Sequence, residues 1–399
     1  MAQRKRDYRT GGLRERAPNS WELKVRTVDA KTGKRVAKFF TFKGTKIAAK
    51  QKLRDLTLQA ERGALPDDQK LFGALLDGWE AGLDVSPKTA ERYKELARLH
   101  IRPHLGNLKV RTISASRLEQ FYSDLRTGVG PAGGPASPLA PRTVGHIHRL
   151  VVQILALAER DRIIDASPAR HAKRPKVVSE EIEILTEDQV KVLLGGLRSK
   201  SVWLIAAFAL ATGLRRGELL ALRWKDVDLE SGTIQVERAL EETNEGLRFK
   251  EPKTRHGRRQ LSLPASIITE LRAHRKLQAE LRLSLGQGKD PEDALVFRRP
   301  DGSPIPPDSL SSEWRRVIAA AKLPKVSLHA LRHTHASQLI AAGLDVLTIS
   351  RRLGHGNPSI TLNVYSHLFK PTDDVAAAVF ETAFGAVLSE NIREPSGTK

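Results

Sequence analysis

The stretch from His329 to Tyr365 combines residue types that suit phosphate chemistry. His329 and Arg332 lie three residues apart, a second imidazole follows at His355, and a phenol follows at Tyr365. Residues three apart share one face of a helix, and a guanidinium matches the oxygens of a phosphate. A tyrosine with a pKa near 10 is only about one part in a thousand ionised at neutral pH, so a nucleophilic tyrosine needs cations or a base nearby. The stretch therefore predicts a tyrosine nucleophile beside a cationic phosphate site.

Tyr365 is the best placed of the four tyrosines in the chain. Tyr93 and Tyr122 lie on amphipathic patterns, where aromatic residues usually fill a core, and Tyr8 lies in a basic N-terminal arm. Only Tyr365 follows a cluster of imidazole and guanidinium groups.

His333 and His335 raise the question of a metal site with His329. The spacing i, i+4, i+6 does not place all three on one helix face, and no acidic cluster accompanies them. We expect no metal there, and we expect His333 and His335 to serve in packing or to support other site residues.

A second arginine is expected, because a transferring phosphoryl group carries charge on more than one oxygen. Arg215 follows a buried apolar helix that Gly213 should end, and Glu218 is spaced to orient the guanidinium. An ordinary helix junction with solvated arginines is the simpler alternative.

Four ordered segments together resemble the tyrosine recombinase family, also called phage-type integrases. They cover about residues 180–370 and are Thr212–Trp224, Pro252–Thr254, Leu328–Thr334, and Leu353–His355 with Val364–His367. The resemblance implies six catalytic residues, which are Arg215, Lys253, His329, Arg332, His355 and Tyr365.

The resemblance also implies a mechanism. Tyr365 attacks a DNA phosphodiester, which leaves a 3′-phosphotyrosine and a free 5′-hydroxyl. Arg215 and Arg332 clamp the nonbridging oxygens, and Lys253 protonates the leaving 5′-oxygen. His329 assists proton transfer or holds phosphate, and His355 donates a hydrogen bond to phosphate. No metal, ATP or other cofactor takes part.

Composition agrees with a nucleic-acid partner. The chain has 399 residues, a net charge of +21 and a pI near 10.3, and a balance this basic usually means a polyanionic partner. Residues 1–65 hold 18 Lys and Arg against 6 Asp and Glu, a net of +12. Cysteine is absent, and no membrane helix or signal peptide is visible. We expect a cytoplasmic protein, bacterial or phage-encoded.

The expected fold is multidomain. A small β-sheet-plus-helix N-terminal domain precedes an all-α core-binding domain and a mixed, mainly-α catalytic domain with a small antiparallel sheet. The predicted boundaries are an arm-type DNA-binding domain at 1–65, a helical core-site domain at 66–168, a linker at 169–179, a catalytic domain at 180–372, and a C-terminal helix and tail at 373–399.

Local patterns predict the individual elements. Residues 1–18 are predicted to form a mobile arm. Two strands are predicted at 21–28 and 36–42, with a turn at 29–33 between them, and Thr45 is expected to cap a helix. In the helical domain, Pro103 and Gly106 are expected to break a helix, and 127–141 is expected to be a flexible loop. Further helices and short strands fill 186–353, and residues 389–399 are expected to be disordered.

The sequence thus predicts a site-specific recombinase, the integrase of a mobile element such as a phage. Its partners are double-stranded DNA at core and arm sites, a homotetramer on DNA that exchanges the C-terminal helix, and a DNA-bending or directionality protein, with no membrane. The alternatives are a type IB topoisomerase, a non-enzymatic regulator, and a metal-dependent transposase using Asp226 and Asp228, which are better explained as turn residues. A serine recombinase is disfavoured, because the N-terminus is a basic arm.

Overall fold

The computed structural model describes residues 12–28, 35–61, 69–177, 182–252, 257–369 and 377–384. The chain divides into two compact units, Met1–Ser179 and Glu180–Lys399, each of which is treated by itself. The predicted turn at 29–33, the predicted disorder at 389–399 and Lys253 lie outside the described residues.

The N-terminal sheet is a three-stranded antiparallel meander backed by one helix. Alternating residues of its central strand, Trp21, Leu23 and Val25, are buried against Ala49 and Leu56 of the helix. Thr45 caps the helix as predicted, because its hydroxyl accepts a hydrogen bond from Ala48 N. The elements are β1 (Gly12–Ala17), β2 (Ser20–Val28), β3 (Arg35–Lys43) and α1 (Lys46–Glu61).

The prediction of an arm over residues 1–18 was wrong for residues 12–17, which form β1. Nearly every β1 side chain is exposed, so the strand has little apolar alternation to reveal it. Its order comes from antiparallel pairing with β2.

The helical domain is built around the amphipathic helix α6 (Pro141–Arg160), whose buried face includes Val144, Ile147, Val151 and Ile154. The Ser114 hydroxyl caps the helix Ala115–Thr127 by accepting a hydrogen bond from Arg117 N. The helices are α2 (Phe72–Ala81), α3 (Pro87–Leu96), α4 (Arg102–Leu105), α5 (Ala115–Thr127) and α6 (Pro141–Arg160).

Two predictions in the helical domain were wrong. Pro103 does not break the helix, because a π-helical turn at Ala97–Ile101 carries α3 directly into α4, and a locally wider turn relieves the clash between the proline ring and the preceding turn. The helix ends at Gly106, as predicted for that residue. The Gly/Pro-rich loop after α5 is ordered by backbone hydrogen bonds, including Ala136 N to Gly128 O at 2.8 Å and Leu139 N to Leu125 O at 2.8 Å.

The second unit is mainly helical and contains a small antiparallel sheet, as the sequence predicts. Its strands are β4 (Val227–Asp228), β5 (Thr233–Val236) and β8 (Arg259–Ser262), with a separate hairpin of β6 (Ala239–Thr243) and β7 (Gly246–Lys250). Its helices are α7 (Glu187–Leu197), α8 (Trp203–Thr212), α9 (Arg216–Ala221), α10 (Ala265–Ser284), α11 (Pro307–Ala320), α12 (Leu328–Ala341), α13 (Val346–Leu353) and α14 (Pro358–Tyr365). Residues 377–384 form a further helix.

Helices α8 and α13 end in glycines with left-handed backbones, Gly213 at φ +65° and Gly354 at φ +67°. Helix α12 packs against both α8 and α13. The carbonyl groups at these two helix ends both accept a hydrogen bond from Arg332 of α12, which is the arrangement that positions the site.

We predict that Gly213→Ala destabilises the chain by about 2–4 kcal/mol, because a Cβ would lie 2.6 Å from His335 Cδ2 in addition to the left-handed backbone cost. Gly343→Ala is the matched control: its φ is +79°, and a Cβ there would meet nothing within 4 Å, so we expect a loss of only about 1 kcal/mol. Urea unfolding measures both, and equal losses would contradict the close packing at Gly213.

Candidate active site

Arg332 links three helices of the site and is only 3% exposed. Its Nη1 donates to Gly213 O at 2.6 Å, and its Nη2 donates to Leu353 O at 2.8 Å and to His355 Nε2 at 2.9 Å. One guanidinium thus joins α12 to the C-terminal ends of α8 and α13, where helix dipoles favour a cation. Burial, and then the charge of Arg215, lower the pKa of Arg332 to about 9.

Tyr365 ends α14 with its ring buried and its hydroxyl beside α12. Its Oη lies 2.7 Å from Nδ1 of His333, and the two rings are 5.7 Å apart. Burial raises the pKa of Tyr365 to about 12, although the charge of Arg332 opposes this. In this state the hydroxyl is protonated and donates to the imidazole.

His329 lies one turn before His333 on α12, and the two rings meet edge to face at 4.7 Å. Burial, followed by the charges of Arg332 and Arg215, lowers the pKa of His329. His329 therefore borders the cationic cluster as a neutral ring at neutral pH.

His355 follows Gly354 and is held from two sides. Because Nε2 accepts from Arg332, the proton lies on Nδ1, which donates to Thr361 Oγ1 at 2.8 Å. Thr361 and Tyr365 are four residues apart, so α14 directs both side chains inward. Burial and nearby arginines lower the pKa of His355 to about 4.

Arg215 is oriented by Glu218, as the sequence predicts. Its Nη1 donates to Glu218 Oε1 at 2.7 Å, and its Nη2 donates to Gly354 O at 3.1 Å. The side chain of Arg215 is 41% exposed, whereas that of Glu218 is 5% exposed. Arg215 thus combines a fixed orientation with access to a ligand.

Glu218 is shared with a second arginine, Arg259, whose Nη2 donates to Glu218 Oε2 at 2.9 Å. Arg259 also donates from Nε to Arg352 O at 2.7 Å. Burial alone would raise the pKa of Glu218, but hydrogen bonds and charge from Arg259 and Arg215 outweigh it and lower that pKa. The carboxylate therefore stays ionised between two guanidinium groups.

Lys253 lies outside the described residues, so its contribution stays a prediction. Its neighbours Pro252 and Gly257 line a cavity of about 420 Å³ that Arg215 and Gly354 also line. A phosphate that entered this cavity would meet the half-exposed guanidinium of Arg215.

His335 has a structural role. Its Nδ1 donates to Leu210 O at 2.8 Å, and its Nε2 accepts from Arg352 Nε at 3.0 Å. Burial and the charge of Arg352 lower the pKa of His335 to about 4. The interpretation of His335 as a packing residue is consistent with these contacts.

Asp226 and Asp228 have structural partners. Asp226 forms two hydrogen bonds with Arg223, at 2.8 and 2.7 Å, and Asp228 accepts from the backbone of Glu230 and Ser231 in a turn. Within the described part of the chain, no three His, Asp or Glu side chains are grouped to hold a metal ion.

Sequence reasoning missed three contacts of the site. It did not predict the contact between His333 and Tyr365. The i, i+4 spacing of His329 and His333 was a usable signal, because it places both rings on the same face of one helix. It did not identify Arg259 or Thr361, because their partners Glu218 and His355 lie on other elements and only the packing of the sheet and α14 brings them together.

The assembled groups are one phenol, three arginines and three imidazoles, contributed by the start of α9, by β8, by α12 and α14, and by the turn after α13. They can bind a phosphodiester through positioned cations and present a hydroxyl nucleophile to it.

Comparison with known proteins agrees with this site. The family model described as the phage integrase family matches residues 183–371, and the phage integrase N-terminal SAM-like domain matches residues 71–126. The chain belongs to the tyrosine recombinase family, also called the phage integrases, and is a site-specific recombinase that cleaves and rejoins DNA. Its fold is the multidomain, mostly helical tyrosine recombinase fold with small antiparallel sheets and an N-terminal SAM-like domain.

Curated relatives match over most of their length. A protein named tyrosine recombinase XerC-like from Caldanaerobacter subterraneus is 27% identical over 358 residues, covering 84% of this chain and 89% of the relative. The ICEBs1 integrase of Bacillus subtilis is 26% identical, covering 72% of this chain and 76% of the relative.

Solved structures share the fold. The Tn1549 transposon integrase in complex with transposon right end DNA matches with a TM-score of 0.65 at 22% identity, covering 78% of this chain and 99% of that one. A lambda integrase tetramer bound to a Holliday junction matches with a TM-score of 0.55 at 16% identity, covering 92% and 97%. None of the described helices is long and apolar enough to span a bilayer.

We predict a specific pH dependence of stability from His335. Its pKa is depressed to about 4 in the folded state from an ordinary 6.5, so the unfolded chain binds the proton first as pH falls. The contribution of neutral His335 to the free energy of unfolding is present above pH 6.5 and is lost toward pH 4, by about 1.4 kcal/mol per pH unit. The free energy of unfolding of His335→Gln should therefore fall by about 2 kcal/mol less than that of the wild type between pH 6.5 and 4.5. Urea unfolding at both pH values measures it, and an unchanged slope would contradict the account.

Proposed function

We propose that the chain is the integrase of a mobile element and that Tyr365 is its nucleophile. One observation carries this proposal. Hydrogen bonds join Arg332, His355 and Arg215 at the C-terminal ends of α8 and α13, and Tyr365 Oη contacts His333, the residue after Arg332 on α12. Attack by Tyr365 forms a 3′-phosphotyrosine and releases a 5′-hydroxyl. The phosphotyrosine conserves the energy of the broken bond, so rejoining needs no ATP.

Arg332 and Arg215 are proposed to hold the nonbridging oxygens. The three bonds of Arg332 leave two of the five donors of a guanidinium for phosphate. Arg215 adds a half-exposed guanidinium, which its hydrogen bond to Glu218 already orients. Fixed donors of this kind stabilise the charge that develops in the transition state without reorganising.

His329, His355 and Lys253 complete the proposed machinery. His355 accepts from Arg332 in this arrangement, so it donates to phosphate only as an imidazolium or after Arg332 turns to the DNA. The negative charge of a phosphate favours the imidazolium. Lys253 is proposed as the general acid for the leaving 5′-oxygen, and His329 as a neighbouring phosphate or proton-transfer group. Side-chain cations supply the positive charge in this mechanism.

The proposed partners are DNA and further copies of the chain. The net charge of +21 suits DNA, and the similar Tn1549 and lambda integrases have structures on DNA, including a lambda tetramer on a Holliday junction. Relatives named as integrases of ICEBs1 and of prophage phiRv2 support a mobile element. We propose a homotetramer on DNA, an accessory bending or directionality protein, and action in the cytoplasm.

The proposed division of labour follows the predicted boundaries. Residues 1–65 bind arm sites, residues 66–168 bind core DNA, residues 169–179 link them to the catalytic domain at 180–372, and residues 373–399 exchange between subunits. A basic three-stranded sheet and the SAM-like match support the first two assignments. Exposed Val379, Phe380 and Phe384 on the helix at 377–384 support the last.

Covalent trapping tests the nucleophile. A nicked suicide duplex can be selected from a random-sequence pool by SDS-resistant capture on the wild-type chain. We expect Tyr365→Phe to abolish the adduct, because no other hydroxyl is predicted to reach the phosphate, while Tyr93→Phe, which changes a tyrosine stacked on Trp79, keeps it. Gel electrophoresis after denaturation measures the adduct, and an adduct surviving Tyr365→Phe would refute the assignment.

Two truncations test the division of labour. Removing residues 1–65 should leave adduct formation on the selected core duplex intact, and removing residues 373–399 should weaken tetramer assembly on DNA while single-site binding persists. Adduct assays measure the first, and native gels with sedimentation measure the second. Loss of core cleavage in the first case, or unchanged tetramers in the second, would contradict the assignments.

A further inference from the structure

None of the six residues assigned above makes a described hydrogen bond to the hydroxyl of Tyr365, so the group that accepts its proton is still to be identified. Lys253 protonates the leaving oxygen, and the arginines bind phosphate, but the proton on Tyr365 must go elsewhere before a P–O bond can form. With burial raising the pKa of Tyr365 to about 12, only about one tyrosine in 10⁵ is ionised at pH 7. A neighbouring base is therefore needed.

One described imidazole contacts the nucleophile directly. His333 Nδ1 lies 2.7 Å from Tyr365 Oη, within the range in which a general base works. His329 contacts the ring of His333 at 4.7 Å. His355 points its nitrogens at Arg332 and Thr361 instead.

We propose that His333 is the general base that accepts the proton of Tyr365 during strand cleavage and returns it during rejoining. This inference rests on the proposed function, because it assumes that Tyr365 attacks a phosphodiester. It gives a direct catalytic role to a residue that the sequence pattern suggested only for packing or support.

The protonation state in the structure suits this role. Because the phenol donates to Nδ1, the neutral ring carries its own proton on Nε2 and has a lone pair ready at Nδ1. Burial, then His329 and Arg332, lower the pKa of His333 to about 4, so the ring is a free base at neutral pH. Proton transfer from a resting phenol is uphill, so it accompanies P–O bond formation, when the phenolic proton becomes acidic.

The charged surroundings of His333 come from several elements. Helix α8 on one side carries no titratable side chain, and Arg352 of α13 is engaged with His335. The charged or titratable groups on the surrounding elements are His329, Arg332 and His335 on α12 itself, Arg351 and Arg352 on α13, Tyr365 on α14, and His367 on the turn after it. Glu183, on the segment before α7, accepts a hydrogen bond from Ser327 N at the start of α12.

The step balances. Oη of Tyr365 bonds to phosphorus, the P–O5′ bond breaks, the phenolic proton moves to Nδ1 of His333, and the leaving 5′-oxygen takes a proton from Lys253. His333 becomes an imidazolium, and Lys253 becomes a neutral amine. In rejoining, the 5′-hydroxyl gives its proton to Lys253, attacks phosphorus, and Tyr365 leaves with the proton that His333 stored.

The test uses single-turnover cleavage by the full-length chain across pH 6 to 9. The substrate is the selected suicide duplex, prepared with either oxygen or sulphur as the bridging 5′-atom. A sulphur leaving group departs without a proton, so it removes the need for Lys253 but not the need to deprotonate Tyr365. The variants are His333→Asn, which keeps a hydrogen-bond acceptor but no base, His333→Ala, and Lys253→Ala. Thermal unfolding and gel retention of the duplex establish that each is folded and binds DNA.

We expect both His333 variants to cleave roughly 10²–10³-fold more slowly than wild type at pH 7, with either bridging atom. Their rates should rise about tenfold per pH unit from pH 6 to 9, because Tyr365 must then ionise by losing its proton to solvent. The wild-type rate should stay flat over this range, because His333 is already unprotonated at pH 6. Sulphur should restore Lys253→Ala and leave both His333 variants slow. The persistence of the defect in His333→Asn separates a base from a group that only orients the hydroxyl.

A His333→Asn profile parallel to that of the wild type would overturn the role of His333 while leaving Tyr365 as nucleophile. Rescue of the His333 variants by sulphur would assign His333 to the leaving group instead, and would also overturn it. If the wild-type chain captures no duplex from the random-sequence pool, the proposed function fails and this inference fails with it. If one His333 variant does not fold, the other one provides the test. If neither folds, the same pH profile is measured on the wild-type chain with 3-fluorotyrosine at position 365. A rate unaffected by the more acidic phenol would contradict proton transfer in the rate-limiting step.

Discussion

The guanidinium of Arg332 is the interaction on which the site depends. It donates to Gly213 O and Leu353 O, the terminal carbonyls of α8 and α13, and to His355. A helix ending leaves carbonyl groups without partners inside the helix, and a buried cation there satisfies them and meets the favourable end of the dipole. The left-handed glycines at both ends let the carbonyls converge on one side chain. The group proposed to bind phosphate is thus also the group that holds the three helices in place.

The surrounding charges are arranged around one carboxylate. Glu218 lies between Arg215 and Arg259, and Arg259 in turn binds the carbonyl of Arg352. Since one carboxylate cannot neutralise three nearby arginines, the site keeps an excess of positive charge. Burying such an excess is costly without an anion, so a bound phosphate is expected to stabilise the site that binds it. The lowered pKa values of His329, His333, His335 and His355 have a shared origin in burial, followed by these cations or the neighbouring imidazole.

Much of this arrangement could be predicted because it is local. The buried helix α8, its end at Gly213, the orientation of Arg215 by Glu218 and the place of Tyr365 beside the histidine and arginine cluster follow from helical spacing and from the blocks that resemble recombinases. The contacts that escaped prediction join distant elements: His333 to Tyr365, Arg259 to Glu218, and Thr361 to His355. Their existence depends on how α12, α14 and β8 pack, which no short window of sequence encodes. Strand β1 and the π-helical turn before Pro103 were missed for related reasons, since pairing with a neighbour and a locally wider helix leave little pattern in composition. Lys253 and the six catalytic roles remain predictions.

The central claim is that Tyr365 forms the covalent bond to DNA in this site. Mass spectrometry of the trapped complex tests it most directly, after nuclease trimming of the DNA and tryptic digestion of the protein. The account predicts that the residual nucleotide lies on the peptide that begins at Leu353, with fragmentation placing it on Tyr365 through a 3′-phosphate. A nucleotide on any other residue, or one joined through its 5′-phosphate, would contradict it.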